Sequence, residues 1–289
     1  MKETLSIKLF NTLKKGKEHL ANDALDRVLG FVESQRTNED SFIDKSGKSD
    51  IYYTMFGWIL SYVLGIKLDA KKTKFYLSQQ NTQTMDLIHY AAYMRCCTIR
   101  KLIKFGKAGL FFDSLFSAPI DIKHISGFPH CDEQSPYSLF IYLSLLEDGG
   151  HKIKDKNNIL SSLRQYKTQE GGYSNIKNSN KITTNATVAA LAIKGQLEGY
   201  KNNDEIDTLC YLQEESGGFA ATKESPIPDI LSTATSLFIM NCYNKQPKFS
   251  AEDFIEAHWL DSGGFSATIL EEISDVEYTF YGLLALGTL

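Results

Sequence analysis

Apolar residues in the last third of the chain follow a helical spacing, and the whole pattern recurs every 46 residues, as from Gly171 to Gly217 and on to Gly263. Each unit reads as an outer helix, a loop, a polar segment and a second apolar helix. The three loops are Gly171-Gly172-Tyr173, Gly217-Gly218-Phe219 and Gly263-Gly264-Phe265. A fixed period of this size indicates one supersecondary unit that is copied and stacked.

The first half of the chain carries a weaker version of the same pattern. Leucines spaced among lysines predict an amphipathic helix over residues 1–22. A hairpin with helices over 22–35 and 51–64 follows, and then a second with helices over 71–80 and 85–100. Another helix is predicted to start near Ser135-Pro136, because proline is favoured in a first helical turn.

Helices dominate this prediction, and the alternating apolar runs expected of strands are absent. The length of 289 residues, divided by the repeat period, gives about six units, and six helical hairpins can be marked along the chain. We therefore predict an all-α protein in which residues 1–289 form a single domain and residues 1–21 form a helix that leads into it. The period alone would also fit an open solenoid.

The composition of the chain excludes several classes of function but says little about the fold. The net charge of −4 offers no basic face for nucleic acid. No apolar run reaches the roughly 18–20 residues that a membrane span needs, and the N-terminus lacks the features of a signal peptide. Five cysteines without C-x-x-C spacing indicate reduced thiols. A soluble cytoplasmic protein without an integral membrane segment is the expectation.

Three aspartates stand immediately before apolar helices, at Asp50, Asp229 and Asp275. Such residues accept hydrogen bonds from the first free amides of a helix, which lowers the pKa of the carboxyl. Alternatively, one of them faces an apolar space, where burial would raise its pKa and make it a proton donor. The sequence leaves both interpretations open.

The segment before residue 134 holds the richest set of metal-ligand side chains. Its members are His124, His130, Cys131, Asp132 and Glu133. His130 and Cys131 are adjacent, and neighbours in sequence seldom point at one ion. A polar loop with a chance cysteine competes with a metal site made by His130, Cys131 and Asp132.

Two motifs carry a resemblance to a known superfamily. The loop Gln213–Phe219 resembles the Gln-containing Gly-aromatic repeat of protein prenyltransferase β subunits and squalene/hopene-type terpene cyclases. The starts of three predicted helices, Asp50–Thr54, Asp229–Thr233 and Asp275–Thr279, are similar to the Asp-x-x-x-Thr signature of the same proteins. The resemblance covers residues 22–289 and is most specific from residue 157 onward.

The resemblance implies an (α/α)6 toroid of about six hairpins, whose six inner helices surround an aromatic-lined cavity for an isoprenoid. Asp50, Asp229 and Asp275 would then converge at one end of the barrel, beside Tyr53, Asp132 and Tyr278. Aromatic side chains fill ordinary cores, but a lining of them also stabilises allylic cations. The residues expected to contact substrate are Tyr53, Trp58, Tyr137, Phe238 and Tyr281.

The zinc site of the prenyltransferases does not carry over. Asp229 matches the family's aspartate, but Leu231 stands at the cysteine position and Tyr278 at the histidine position. Leucine has no donor atom, and a neutral phenol is a poor zinc ligand. We therefore expect no zinc and no other cofactor. The Asp-x-Asp-Asp acid motif of the cyclases is absent as well.

The resemblance implies a protein that binds and processes an isoprenoid or polyene, and the residues at the metal positions predict that it does so without zinc. The expected chemistry is acid-initiated cyclisation or isomerisation, with Asp229 or Asp275 as the proton donor, Asp50 at the same end, and Tyr53 and Tyr278 nearby. The alternative is a non-catalytic toroid that acts as a lipid-binding or protein-interaction subunit, with a helical protein as its partner.

Overall fold

The computed structural model describes residues 3–105, 134–201 and 204–289. Its α-helices are α1 (Leu5–His19), α2 (Asn22–Ser34), α3 (Ile51–Leu64), α4 (Ala70–Ser78), α5 (Leu87–Phe105), α6 (Pro136–Asp148), α7 (Lys156–Leu163), α8 (Thr184–Glu198), α9 (Asp207–Cys210), α10 (Ile230–Cys242), α11 (Glu252–Ala257) and α12 (Val276–Leu286). Short 3-10 helices span Thr82–Thr84 and Arg164–Tyr166.

Six of the helices form a closed ring. Helices α3, α5, α6, α8, α10 and α12 contact one another in that order, and α12 contacts α3. Helices α2, α4, α7 and α11 each pack against the inner helix that follows them. The predicted all-α toroid is therefore confirmed, and contact between the first and last inner helices excludes an open solenoid.

Four strands accompany the helices in the described part of the chain. Strand β1 (Phe42–Ile43) pairs with β2 (Ser49–Asp50), and β3 (Phe265–Ser266) pairs with β4 (Ser274–Asp275), both antiparallel. In register, Phe42 faces Asp50 and Phe265 faces Asp275. Each strand has two residues, which is too short for an alternating pattern to be visible in the sequence.

The repeated threonine ties each loop to its inner helix. The Thr233 hydroxyl accepts a hydrogen bond from the Phe219 amide at 2.8 Å and donates one to the Asp229 carbonyl at 2.7 Å. Thr54, Thr187 and Thr279 accept equivalent bonds from the amides of Phe42, Tyr173 and Phe265. All four threonines are fully buried. The repeated threonine, which ends an Asp-x-x-x-Thr signature at Thr54, Thr233 and Thr279, thus fixes the aromatic residue of each loop against the start of the inner helix.

The first glycine of each Gly-Gly pair has a positive φ, as at Gly217, where φ is 90°. A Cβ there would also lie 1.8 Å from the Ser250 carbonyl oxygen. The aromatic side chains after each pair are buried, with exposures of 3% for Tyr173, 0% for Phe219 and 1% for Phe265. These loops are therefore packing elements that set the register of the repeat.

Helix α1 lies across one end of the ring, which the expectation of a simple lead-in helix did not include. It contacts α12, α3 and α6. The Lys17 ammonium reaches the Val63 and Leu64 carbonyls at the end of α3, at 3.4 and 3.2 Å. The Leu5 amide donates to Glu147 near the end of α6 at 3.1 Å. Because α6 stands opposite α12 in the ring, α1 spans the end where the inner helices finish.

Candidate functional site

The three predicted aspartates are helix N-caps at the opposite end of the ring. Asp50 accepts hydrogen bonds from the Tyr52 and Tyr53 amides at 2.7 and 3.1 Å. Asp229 accepts one from the Ser232 amide at 2.7 Å, and Asp275 accepts one from the Tyr278 amide at 2.8 Å. Helices α3, α10 and α12 therefore each begin with a carboxyl held by the backbone.

Capping does not lower the pKa of two of these carboxyls, because burial outweighs the amide bonds. Burial raises the pKa of Asp275 above its usual value, although the Tyr278 amide and the Lys45 charge act in the opposite direction. Burial likewise raises the pKa of Asp229. The side chain of Asp275 has a second oxygen, Oδ2, that is buried without a hydrogen-bond partner. The Lys45 ammonium lies 3.9 Å from that oxygen.

A second buried carboxyl, which the sequence analysis missed, lies two residues further along. Glu277 is 8% exposed, and its Oε1 accepts a hydrogen bond from the Tyr52 hydroxyl at 2.6 Å. Burial and the neighbouring Asp275 charge raise the pKa of Glu277, while the bond from Tyr52 lowers it. Tyr52 belongs to the first inner helix and Glu277 to the last, so closure of the ring creates this pair.

Tyrosines and phenylalanines surround the two carboxyls. Burial, followed by the Asp275 and Glu277 charges, raises the pKa of the Tyr53 phenol, and burial and the same two charges do so for Tyr278. Burial raises the pKa of Tyr281 and Tyr137, and the Glu277 charge also acts on both. The rings join in an edge-to-face series: Tyr52–Phe56 at 5.0 Å, Phe56–Phe280 at 5.0 Å and Phe280–Tyr281 at 5.3 Å between centroids.

Lys45, from the turn between β1 and β2, covers the outer side of this group. Its ammonium lies 4.8 Å from the centre of the Tyr278 ring, a distance at which the cation attracts the ring face. The same ammonium contacts Glu271 at 3.1 Å. The loops that precede α3 and α12 therefore meet above Asp275 through Lys45.

The structure places Trp58, one of the expected substrate-contacting residues, against the outer layer of helices. Trp58 is fully buried, donates its indole N–H to the Asp40 carbonyl at 2.6 Å and packs against Tyr76 of the outer helix α4. Phe238 is 7% exposed and belongs to the main hydrophobic core, as do Phe56 and Phe280. The Glu277 charge acts on the phenols of Tyr53, Tyr137 and Tyr281, which places these three side chains near the carboxyl pair.

Asp50 and Asp229 have histidines as neighbours. The Asp50 carboxylate lies 3.9 Å from Nε2 of His89, whose Nδ1 is 2.8 Å from Asp86. His258, after the outer helix α11, is fully buried, and its charge interaction with Asp229 opposes the effect of burial that lowers its pKa. Asp229 thus interacts with a residue of the outer layer, while Asp275 lies beside Glu277 and the tyrosines.

The donor atoms at the family's zinc position do not fit a zinc ion. Leu231 offers no donor, and burial raises the pKa of the Tyr278 phenol, which keeps it neutral. Within residues 3–105, 134–201 and 204–289, no three His, Cys, Asp or Glu side chains are grouped so that they could hold a metal ion. His124, His130, Cys131, Asp132 and Glu133 lie outside the described residues.

A closed ring of six helices with capping carboxyls at one end defines an α/α toroid protein, and comparison with known families agrees. A family model for the prenyltransferase alpha-alpha toroid domain matches residues 134–289, more than half of the chain. The chain therefore belongs to the prenyltransferase alpha-alpha toroid domain family. No curated protein sequence matches it at a significant level.

Solved structures share this fold at low sequence identity. Candida albicans protein geranylgeranyltransferase-I complexed with GGPP is 13% identical with a TM-score of 0.53, and the match covers 82% of each chain. The type II terpene cyclase MstE from Scytonema is 13% identical with a TM-score of 0.54, and the match covers 96% of this chain and 97% of that one. Across the described residues, no helix combines the length and apolar character that crossing a membrane requires.

Proposed function

We propose that the protein binds an isoprenoid or polyene inside the ring and protonates it with the Asp275–Glu277 carboxyl pair. The observation that carries the proposal is this pair: two buried carboxyls with raised pKa values among the rings of Tyr52, Tyr53 and Tyr278. Membership of the family supports an isoprenoid as the class of ligand.

The surroundings of Tyr281 support a ligand space within the ring. This side chain retains partial surface exposure, yet burial raises the pKa of its phenol well above the usual value. A side chain that faces an enclosed space would combine this partial exposure with the raised pKa. Apolar rings around such a space suit a polyene, because burying apolar surface drives binding and ring faces stabilise a cation.

The proposed reaction is a proton transfer. The O–H bond of the protonated Asp275 carboxyl breaks, the π electrons of a substrate alkene form a new C–H bond, and a tertiary carbocation remains beside the carboxylate. Cyclisation follows by attack of the next alkene on the cation. Loss of a proton to a basic group then gives a neutral isomer of the substrate, so that atoms and charge balance.

Asp275 is preferred over Asp229 as the donor because its Oδ2 is buried and carries no hydrogen bond. The Asp275 charge raises the pKa of Glu277, and the Glu271 charge raises that of Asp275, so burial and like charges together favour a protonated carboxyl in the pair. The Tyr52 hydroxyl orients Glu277. Asp50, which accepts hydrogen bonds from two backbone amides, would contribute to the shape of this end and not to proton transfer.

The test is deuterium incorporation. Purified protein is incubated in heavy water with geraniol, farnesol and geranylgeraniol and with their diphosphates, and products are analysed by mass spectrometry. Wild type should give isomers that contain deuterium at carbon. Asp275→Asn should lose at least about a hundredfold of this activity, the usual contribution of a general acid. Asp229→Asn is the matched control and should retain activity. Full activity in Asp275→Asn would refute the proposal.

A second candidate function is a non-catalytic subunit with a helical protein partner. Three aliphatic side chains between β3 and β4 are exposed: Ile269 at 57%, Leu270 at 76% and Ile273 at 64%. A helix with an apolar stripe would cover them. The chain is to be purified from its native source as wild type and as Leu270→Glu/Ile273→Glu. A stoichiometric helical protein bound only to wild type, together with isoprenoid binding but no deuterium incorporation, would favour this function.

A further inference from the structure

Helix α1 contacts the inner helices near their C-terminal ends. Its Gly16 packs against the Leu283 carbonyl of α12 so closely that a Cβ at Gly16 would lie 1.9 Å from that oxygen. Phe10 contacts Tyr62 of α3 edge to face at 5.7 Å, and Lys14 lies 5.8 Å from the centre of the same ring. Helix α1 thus contacts α12 and α3, on one side of the ring, through residues from Phe10 to Gly16.

The opposite side of the ring is also in contact with α1. The Leu5 amide bonds to Glu147, and the Ser6 side chain bonds to Asp148, the last residue of α6. Lys8 lies 5.6 Å from the ring centre of Tyr200, which follows α8. The Lys8 charge also acts on Cys242, the last residue of α10. Five of the six inner helices therefore end near α1.

We infer that α1 is the floor of the ring interior: it closes the end where the inner helices finish and limits the length of the ligand. The closure concerns the ring itself, whereas the limit on length rests on the proposed function. The contacts also set the depth. Leu283 comes seven residues after the start of α12 and Tyr62 eleven after the start of α3, so the floor lies about 10–16 Å below the helix starts.

This depth divides common isoprenoids by length. An extended geraniol fits in the ring interior between the capping aspartates and α1. An extended geranylgeraniol is longer than this distance and must fold. Each further buried methylene strengthens binding about fourfold as long as there is room for it. Affinity should therefore rise from geraniol to farnesol and then stop rising in the wild-type protein.

Cys242 provides a test that needs no ligand. Burial raises the pKa of its thiol to about 11, so with α1 in place the reactive thiolate is rare. Gly16→Ala places a methyl group against the Leu283 carbonyl and should push α1 away from α12. Lys17→Ala removes the bonds to the α3 carbonyls without a clash. Both variants should increase alkylation of Cys242 at least about tenfold over wild type, with Cys210 as the internal control thiol.

Exposed Lys15→Ala, on the same helix, is the control variant and should leave the Cys242 rate unchanged. If neither Gly16→Ala nor Lys17→Ala raises that rate, α1 does not cover the end of the ring and the inference is overturned. Circular dichroism confirms that each variant retains its helices.

Ligand length is measured separately by titrating wild type, Gly16→Ala and Lys15→Ala with geraniol, farnesol and geranylgeraniol. Gly16→Ala should improve the affinity for geranylgeraniol relative to geraniol by at least about tenfold. An unchanged length profile, despite faster Cys242 alkylation, would overturn the limit on length. If no alcohol binds to any form, the proposed function and the limit on length fall together, while the thiol rates still decide whether α1 closes the ring.

Discussion

The buried threonines that tie the loops to the inner helices allow a graded test of how the ring is held together. Thr233→Val keeps the shape of the side chain and its branched Cβ but removes the hydroxyl. The Phe219 amide then loses its acceptor at a site with no access to water. The Asp229 carbonyl keeps a partner, because the Thr233 amide also donates to it at 3.0 Å. The substitution therefore removes both hydrogen bonds of the hydroxyl but leaves only the Phe219 amide without a partner.

A buried donor left without a partner costs about 1–3 kcal/mol. The Thr233 bond is 2.8 Å long, the Thr187 bond 3.0 Å and the Thr279 bond 3.3 Å. We expect losses in the free energy of unfolding of about 2 kcal/mol for Thr233→Val and Thr187→Val, and about 1 kcal/mol for Thr279→Val. For a chain of this size, about 2 kcal/mol corresponds to a fall in Tm of roughly 4 °C.

Denaturant unfolding followed by circular dichroism measures the loss, and Thr84→Val, at an exposed position, is the control that should lie within about 0.5 kcal/mol of wild type. The order of the three losses is as informative as their size. If Thr233→Val were as stable as the control, the threonine bonds would not be what fixes the loops, and the structural explanation of the Asp-x-x-x-Thr signature would be wrong.

Three further predictions follow from single positions. Gly217→Ala should destabilise by at least about 3 kcal/mol because it combines a φ of 90° with a clash against Ser250, whereas Gly47→Ala, with a φ of 81° and open space around it, should cost only about 1 kcal/mol by thermal denaturation. Glu277→Gln should raise the free energy of unfolding near pH 8 and leave it unchanged near pH 4, which denaturation at the two pH values would measure. The reason is that the pKa of Glu277 is higher in the folded than in the unfolded protein, so the ionised carboxyl lowers stability once the pH exceeds the unfolded pKa. Trp58→Phe should lower stability by about 2 kcal/mol through the lost bond to Asp40, yet leave isoprenoid affinity in titrations unchanged, and a selective loss of affinity would return Trp58 to the site.

The ring could be predicted from the repeat because the loops and the threonines that bind them recur with the same spacing. The same spacing that repeats the Gly-Gly-aromatic loops also repeats the threonine that binds each loop amide, so packing and pattern identify the same inner helices. The position of α1 could not be predicted in this way. An amphipathic pattern shows that one face of a helix is buried but does not say against which part of the protein.

The candidate site was only partly predictable for a related reason. Glu277 lies in an apolar helix and looks like a solvated charge in the sequence, yet it is buried because Tyr52, from the other end of the chain, completes its surroundings. Nothing in the sequence indicates that Tyr52 and Glu277, which are far apart along the chain, contact each other. Trp58 shows the reverse: an aromatic residue on an inner helix points outward, toward α4, because its place on the helix turns it away from the ring interior.

The contact between Gly16 of α1 and Leu283 of α12 has a consequence for biosynthesis. Helix α1 leaves the ribosome early, but the surface it packs against is made almost at the end of the chain. At about 5–20 residues per second, α1 waits roughly 10–60 s for its partner. During that time its apolar face and the open edge of the incomplete ring are both exposed, so a chaperone that shields nascent apolar helices should influence the yield of folded protein more than the intrinsic rate of helix formation does.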